Sequence, residues 1–245
     1  LINTHMIFSR FRFLSILALI FFASIGPTGI SVKRKSERIT DYSRSLEIIH
    51  QFASKLDFDI YVIENTLGNF DSWKNLKLPI HGEINFSFMP ENSGEFNKGI
   101  GELDMASTVL PTLISRDYEK VIWFSGRHLL TSEGVLKVCF NSQAELIVSN
   151  PDFYFLSGEK VLSEKNGLLN DMLFGISLRK FKQYIELFES SRRRLSEQNI
   201  GSEQLLYQFV TNNNPTIEWM MQLGVLRREN KVKWHWIETS EWHFC

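Results

Sequence analysis

Polar residues able to do chemistry stand where apolar runs of strand length stop. Val121-Ile122-Trp123-Phe124 runs into Ser125-Gly126-Arg127-His128. Arg127 offers a planar fork suited to phosphate, and His128 a donor or a base near neutral pH. Ile60-Tyr61-Val62-Ile63 ends in Glu64, an acid placed to accept hydrogen bonds from a ribose or a base. Asn97-Lys98-Gly99-Ile100-Gly101-Glu102 precedes a helical pattern. Its glycines let a backbone approach a ligand, and free N–H groups at a helix start attract anions. Asp171, just before Met172-Leu173-Phe174-Gly175, and Glu203, after Gly201-Ser202, are carboxylates that could take a proton from a hydroxyl.

Each signal has a bland counterpart. Glu64 could do no more than solvate a turn, and the glycine-rich segment could simply open a helix. Ser202 could be an N-cap, with Glu203 a first-turn acid favoured by the helix dipole. Other chemistries are absent from the sequence. There is no G-x-S-x-G, no H-E-x-x-H, and neither a P-loop nor a G-x-G-x-x-G motif.

Those residues need a scaffold of alternating strands and helices. The apolar run Phe13 to Ile25 has two readings. With Arg10 and Arg12 before it, it has the layout of a signal segment. As a strand within Leu14 to Ala23, it is the continuous apolar run of a buried parallel sheet. The strand reading is preferred, because it gives the following helix and strand their first partner. A loop over 24–40, a helix capped by Asp41 and a strand over 57–63 then complete a βαβ unit. Beyond it the spacing predicts a short helix near Trp73 and a strand over 84–88. A helix over 99–114 follows, kinked or ended early by Pro111. Strands are expected over 119–124, 145–148, 153–155 and 172–176, and helices over 131–140, 178–194 and 202–210. Residues 158–170 read as a mobile loop, 218–223 as a turn or helix, and the Trp-rich end as an edge strand or tail. The fold class is α/β: a Rossmann-like three-layer domain with a mostly parallel or mixed central sheet.

The chain has 245 residues, 20 of them Phe and 6 Trp, enough for a sizeable core. A net charge of −1 argues against nucleic acid held through phosphate contacts. The basic runs at Lys33-Arg34-Lys35 with Arg38, Arg192 to Arg194, and Arg227-Arg228 read as solvated faces or helix ends. Of the two cysteines, Cys139 reads as a small buried hydrophobe. Its spacing from Cys245 fits neither a metal site nor a disulfide framework, so a reducing compartment is expected. Leu1 opens the sequence and Met6 follows, and residues 1–6 are expected to be a leader outside the fold.

The order of these parts resembles nucleotide-sugar glycosyltransferases of the GT-A fold. Arg38 and Ser45-Leu46 stand where that family carries a loop Arg and a helical Ser-Leu pair. Glu64 matches the acid after the second strand, and Asn97 to Gly99 the Asn-x-Gly that opens the next helix. The family's Asp-x-Asp metal motif is replaced by Ser125-Gly126-Arg127, as in similar glycosyltransferases of polysaccharide and lipopolysaccharide loci. The strand after Asp171, its helix, and Glu203 resemble the acceptor half. The likeness spans roughly residues 14–210 and rests on the order of several weak motifs.

The resemblance implies one GT-A-like domain over 7–245, with a nucleotide-binding half at 14–130 and an acceptor half at 131–245. It implies transfer of a sugar from a nucleoside-diphosphate sugar to a glycan, lipid-linked or other hydroxyl acceptor. Arg38, Glu64, Asn97, Lys98, Gly99, Ser125, Gly126, Arg127 and His128 would bind the donor. Asp171 would be the base, with Glu203 as its substitute. The missing Asp-x-Asp puts a bound Mn²⁺ or Mg²⁺ in doubt, leaving the leaving diphosphate to Arg127 with Lys98 or Arg38. Glu64, Lys98 and Arg127 are expected to converge on one pocket, in a cytoplasmic protein able to sit at the inner face of a membrane. Two rival readings stand beside this. One is a GT-A-like protein that binds a nucleotide or glycan without catalysis. The other is a secreted or anchored binding protein, if residues 13–25 are a signal segment.

Overall fold

The computed structural model describes residues 17–27, 30–90, 92–95, 97–149, 155–156, 159–160, 169, 171–220, 225–228 and 234–235. Within the apolar run, Leu17–Ala23 is strand β1, and all of its residues are buried. Helix α1 (Val32–Leu56), strand β2 (Asp59–Glu64), helix α2 (Phe70–Asn75) and strand β3 (Ile84–Phe88) follow. After a 3-10 turn (Ser93–Glu95) come helix α3 (Lys98–Ser115), strands β4 (Lys120–Ser125) and β5 (Leu129–Leu130), helix α4 (Gly134–Asn141) and strand β6 (Leu146–Ser149). Then come short strands β7 (Phe155–Leu156) and β8 (Glu159–Lys160), strand β9 (Leu173–Ser177), and helices α5 (Leu178–Glu197) and α6 (Ser202–Asn213). Strands β10 (Ile217–Met220), β11 (Val225–Arg228) and β12 (Trp234–His235) complete the described elements.

The main sheet has seven strands in the order β10-β6-β9-β4-β1-β2-β3. β1 pairs in parallel with both β2 and β4, which explains why its sequence does not alternate. β9 is antiparallel to both β4 and β6, making the sheet mixed but mostly parallel. Successive side chains of each strand feed opposite cores. On one face Leu19, Phe21, Val62 and Phe124 pack under α1, α2 and α4. On the other Ile20, Phe22, Ile63 and Trp123 pack under α3, α5 and α6. These are the three layers of the α/β class.

Several elements differ from the sequence expectations. α1 starts at Val32, not at Asp41; Ser31 is the N-cap and accepts from Arg34 N–H. Its first turns are exposed and polar, so apolar periodicity is silent there, although Lys, Arg and Glu are good helix formers. Asp41 is buried inside the helix. Pro111 does not end α3, which runs on to Ser115. Pro111 is exposed there and costs one backbone hydrogen bond, while Leu113 beyond it stays fully buried. Residues 217–220 form strand β10 rather than a turn or helix, because they pair in parallel with β6 at the sheet edge. Glu159–Lys160 pairs with Phe155–Leu156, so part of the expected loop is a strand. At the end of that loop Leu169 is buried and its N–H donates to Glu203 O, so that residue is anchored rather than mobile. Residues 1–16, 153–154, 158, 161–168 and 170, and residues 236–245 with Trp236, Trp242 and Cys245, lie outside the described residues.

Candidate active site

After β1 the chain adds β2 and β3 on one side, then crosses to place β4 on the other. Ligands of such sheets bind at the strand carboxyl ends where the order reverses. A cavity of about 160 Å³ lies at that place. Its walls come from the ends of β1 (Phe22, Ala23, Ser24), β2 (Asn65) and β4 (Ser125, Arg127), from α1 (Arg38, Tyr42), and from α3 (Lys98, Glu102, Met105). Gly94 and Pro27 complete it. A second cavity of about 310 Å³, lined by Thr66, Asn92 and Glu95 among others, shares Asn65 with the first.

Local sequence explains how each wall is held. Asn97 caps α3: its side-chain oxygen accepts from Gly99 N–H at 2.9 Å and Ile100 N–H at 3.3 Å, and its amide donates to Ile200 O at 3.0 Å. Gly99 lies against the first turn of α6, where a Cβ would fall 2.4 Å from Ser202 N. Gly101 touches Gly94 just as closely, at 2.6 Å from a would-be Cβ to Gly94 Cα. The start of α3 is thus wedged between α6 and the 3-10 turn. Gly126 is required because a Cβ would meet the Phe21 ring at 2.4 Å and Phe22 O at 2.6 Å.

Of the expected site residues, Arg38, Lys98, Ser125 and Arg127 line the first cavity. Arg38 sits on α1 and not in a loop, and its guanidinium donates twice to Ser24 O. Arg127 forms no ion pair among the described residues. Lys98 stands 3.2 Å from Glu102, whose charge, acting first, pushes the lysine up to about 12. Burial pushes the Glu102 carboxyl above its ordinary range against the pull of Lys98.

The remaining candidates sit elsewhere. Glu64 is fully buried, and its carboxylate accepts from Ile25 N–H at 3.1 Å, Thr66 N–H at 2.8 Å, Leu67 N–H and the Thr66 hydroxyl. It ties the β1 loop to the β2 loop, and it does not line the cavity with Lys98 and Arg127. His128 is buried beneath the β4 turn, with Nδ1 3.1 Å from Ser125 O and its own carbonyl accepting from Ser45 Oγ. Asn97, Gly99 and Gly126 shape the walls without lining them.

Asp171 is buried and accepts a hydrogen bond from Ser202 Oγ. Glu203 is half-buried beside it. Desolvation, then the Asp171 charge, pushes Glu203 up to about 7. Gly99, next to Lys98, packs on Ser202, which donates to Asp171 and precedes Glu203, so the carboxylates lie beside the start of α3. Among the described residues no group of three His, Cys, Asp or Glu side chains could hold a metal ion. Among the described residues, Ser125-Gly126-Arg127 at the end of β4 brings no carboxylate for a divalent cation.

Asn65 and Glu102 are among the wall residues that the sequence reading does not single out. Asn65 directly follows Glu64, and strand alternation sends these neighbours to different surroundings. Glu102 closes the glycine-rich segment, and its i+4 spacing from Lys98 is one common on solvated helix faces.

Neither a family model nor a curated protein sequence matches the chain. Among solved structures it is similar to one described as a "putative nucleotide-diphospho-sugar transferase" from Desulfovibrio desulfuricans G20. The TM-score is 0.55 at 12% identity, over 84% of this chain and 80% of that one. The fold is therefore GT-A-like: a seven-stranded, mostly parallel sheet flanked by helices, resembling a nucleotide-sugar transferase. Among the described residues no helix is long and apolar enough to cross a membrane.

Proposed function

We propose that the chain is a glycosyltransferase that moves a sugar from a nucleoside-diphosphate sugar to a hydroxyl acceptor. One observation carries this reading. Lys98 and Arg127 line one cavity at the sheet's switch point, and the turn carrying Ser202 and Glu203, with Asp171 bonded to it, packs against the helix start that carries Lys98.

The chemistry follows from those groups. The bond between the anomeric carbon and the diphosphate oxygen breaks while a bond to the acceptor oxygen forms. Positive charge grows on the sugar as in glycoside cleavage, and negative charge on the leaving diphosphate. Fixed cations aimed at that charge stabilise the transition state more than the ground state. Lys98 and Arg127 fill that role without a metal, and Arg38 lines the same wall. The acceptor proton goes to a carboxylate. Glu203 suits this better than Asp171, because it is half-buried and titrates near neutral pH, where a general base is most effective. Asp171 then acts as a positioning residue, raising the basicity of Glu203 and orienting Ser202.

The test is a calorimetric and turnover screen of nucleoside-diphosphate sugars with and without Mg²⁺ or Mn²⁺. Binding and acceptor-dependent release of diphosphate without metal support the transferase. Binding with no release, from any acceptor or water, would leave a nucleotide- or glycan-binding protein. The exposed cations Lys33 and Arg34 at the start of α1, close to Arg38, suit an acceptor carried on an anionic membrane surface.

A further inference from the structure

A sugar nucleotide presents two opposite kinds of group. Phosphate oxygens only accept hydrogen bonds, whereas sugar hydroxyls also donate. The cavity is divided in the same way. Lys98, Arg127 and Arg38 supply donors. Asn65 and Glu102, each 5% exposed, line the same cavity and carry acceptors with nothing to accept. Asn65 Oδ1 and Glu102 Oε2 are buried without a hydrogen-bond partner among the described residues. The orientation of the Asn65 amide is fixed by its neighbour. Asn92 Oδ1 already accepts from Gly94 N–H at 3.1 Å, so the Asn65 atom 3.0 Å away must be the donating nitrogen. Glu102 has its other oxygen on Lys98 at 3.2 Å.

Buried acceptors without donors are costly, and bulk water does not reach these two. A donating group seated in the cavity relieves them once these two side chains turn toward it. A phosphate cannot, since it would bring further acceptors. We propose that Asn65 and Glu102 are specificity-determining residues that receive two neighbouring hydroxyls of the donor while Lys98 and Arg127 hold its diphosphate. This inference rests on the donor-binding reading above and adds to it which part of the donor is read, and by which side chains. The hydroxyl pair has two possible sources, the ribose and the transferred sugar.

Calorimetry on the full chain separates them. The probes are UDP and GDP, their 2′-deoxy forms, and the glucose and mannose conjugates with and without the sugar 2-hydroxyl. Removing one hydroxyl from the correct source weakens binding by about ten- to a hundredfold, the value of a hydrogen bond to a charged or buried polar group. A loss in the nucleotide arm assigns the ribose, and a loss confined to the conjugates assigns the transferred sugar. In Glu102→Met and in Asn65→Ala the ratio between hydroxy and deoxy probes falls toward one. A purely structural role would weaken both probes alike and leave that ratio unchanged. Equal binding of hydroxy and deoxy probes by the unaltered chain overturns the proposal even if neither variant folds, as does an unchanged ratio in a folded variant. If no probe binds the unaltered chain, the donor-binding reading itself fails and takes this inference with it.

Discussion

Gly99 packs against Ser202 with no room for a side chain: a Cβ on Gly99 would lie 2.4 Å from the Ser202 backbone nitrogen and 3.0 Å from its hydroxyl. Through this contact the start of α3, with Lys98 and, one turn on, Glu102, meets the first turn of α6, with Glu203. The proposed phosphate-binding and proton-accepting groups are thereby held together by two helices that are distant in sequence.

Gly99→Ala is expected to force these helix ends apart. The obstacle is backbone, which cannot swing away as a flexible side chain would. Overpacking of this kind costs roughly 1–3 kcal/mol. Urea unfolding should show that loss, and donor affinity should fall with it. An unchanged midpoint would mean that the two helices are not in contact.

Glu203 gives a signed pH prediction. With its carboxyl pushed up to about 7, it is an active base only above that pH. Turnover should therefore rise with pH through about 7, and Glu203→Gln should lose that limb along with about a hundredfold or more in rate. Stability runs the other way. Between the ordinary carboxyl pKa near 4.5 and about 7, the folded state binds the extra proton, so stability falls as pH rises through this window. Glu203→Gln removes the dependence and should be more stable than the unaltered chain at pH 8, by roughly 1–3 kcal/mol after solvent screening. Thermal melts at pH 5 and pH 8 measure it. Parallel pH–stability curves for the two proteins would contradict the burial of this acid.

Glu64 should behave as a structural residue. Its carboxylate receives backbone N–H groups from Ile25 and Thr66, and Glu64→Ala would strand those donors. A loss of roughly 2–5 kcal/mol is expected, typical of breaking a buried, charged hydrogen-bond network. Any loss of donor binding should then track unfolding. A well-folded Glu64→Ala protein with weakened binding would instead return Glu64 to the ligand.

The sheet was largely legible because buried strands announce themselves as apolar runs. Leu17–Ala23, Ile84–Phe88 and Leu173–Ser177 fall where composition places them. α5 shows its buried face plainly in Phe181, Tyr184, Ile185 and Phe188. The start of α1 was hidden because its first two turns bury almost nothing. β10 was hidden because its identity as a strand comes from pairing with β6, a tertiary fact. At the site, Lys98 and Arg127 could be picked out because glycines and strand ends flank them. Glu64 and Asn65 are adjacent, and only the folded turn decides which one faces the cavity. Cys139 is the buried hydrophobe that its apolar neighbours imply: Gly175 leaves space for its sulfur, and burial pushes the thiol up to about 12.

Calorimetric titration of the unaltered chain, Lys98→Ala and Arg127→Ala with nucleoside-diphosphate sugars in metal-free buffer tests the central claim most directly. Each variant should lose about tenfold or more in affinity, the effect weakening as salt screens the exposed lysine. Binding that survives both substitutions undiminished would show that these two cations do not hold the diphosphate.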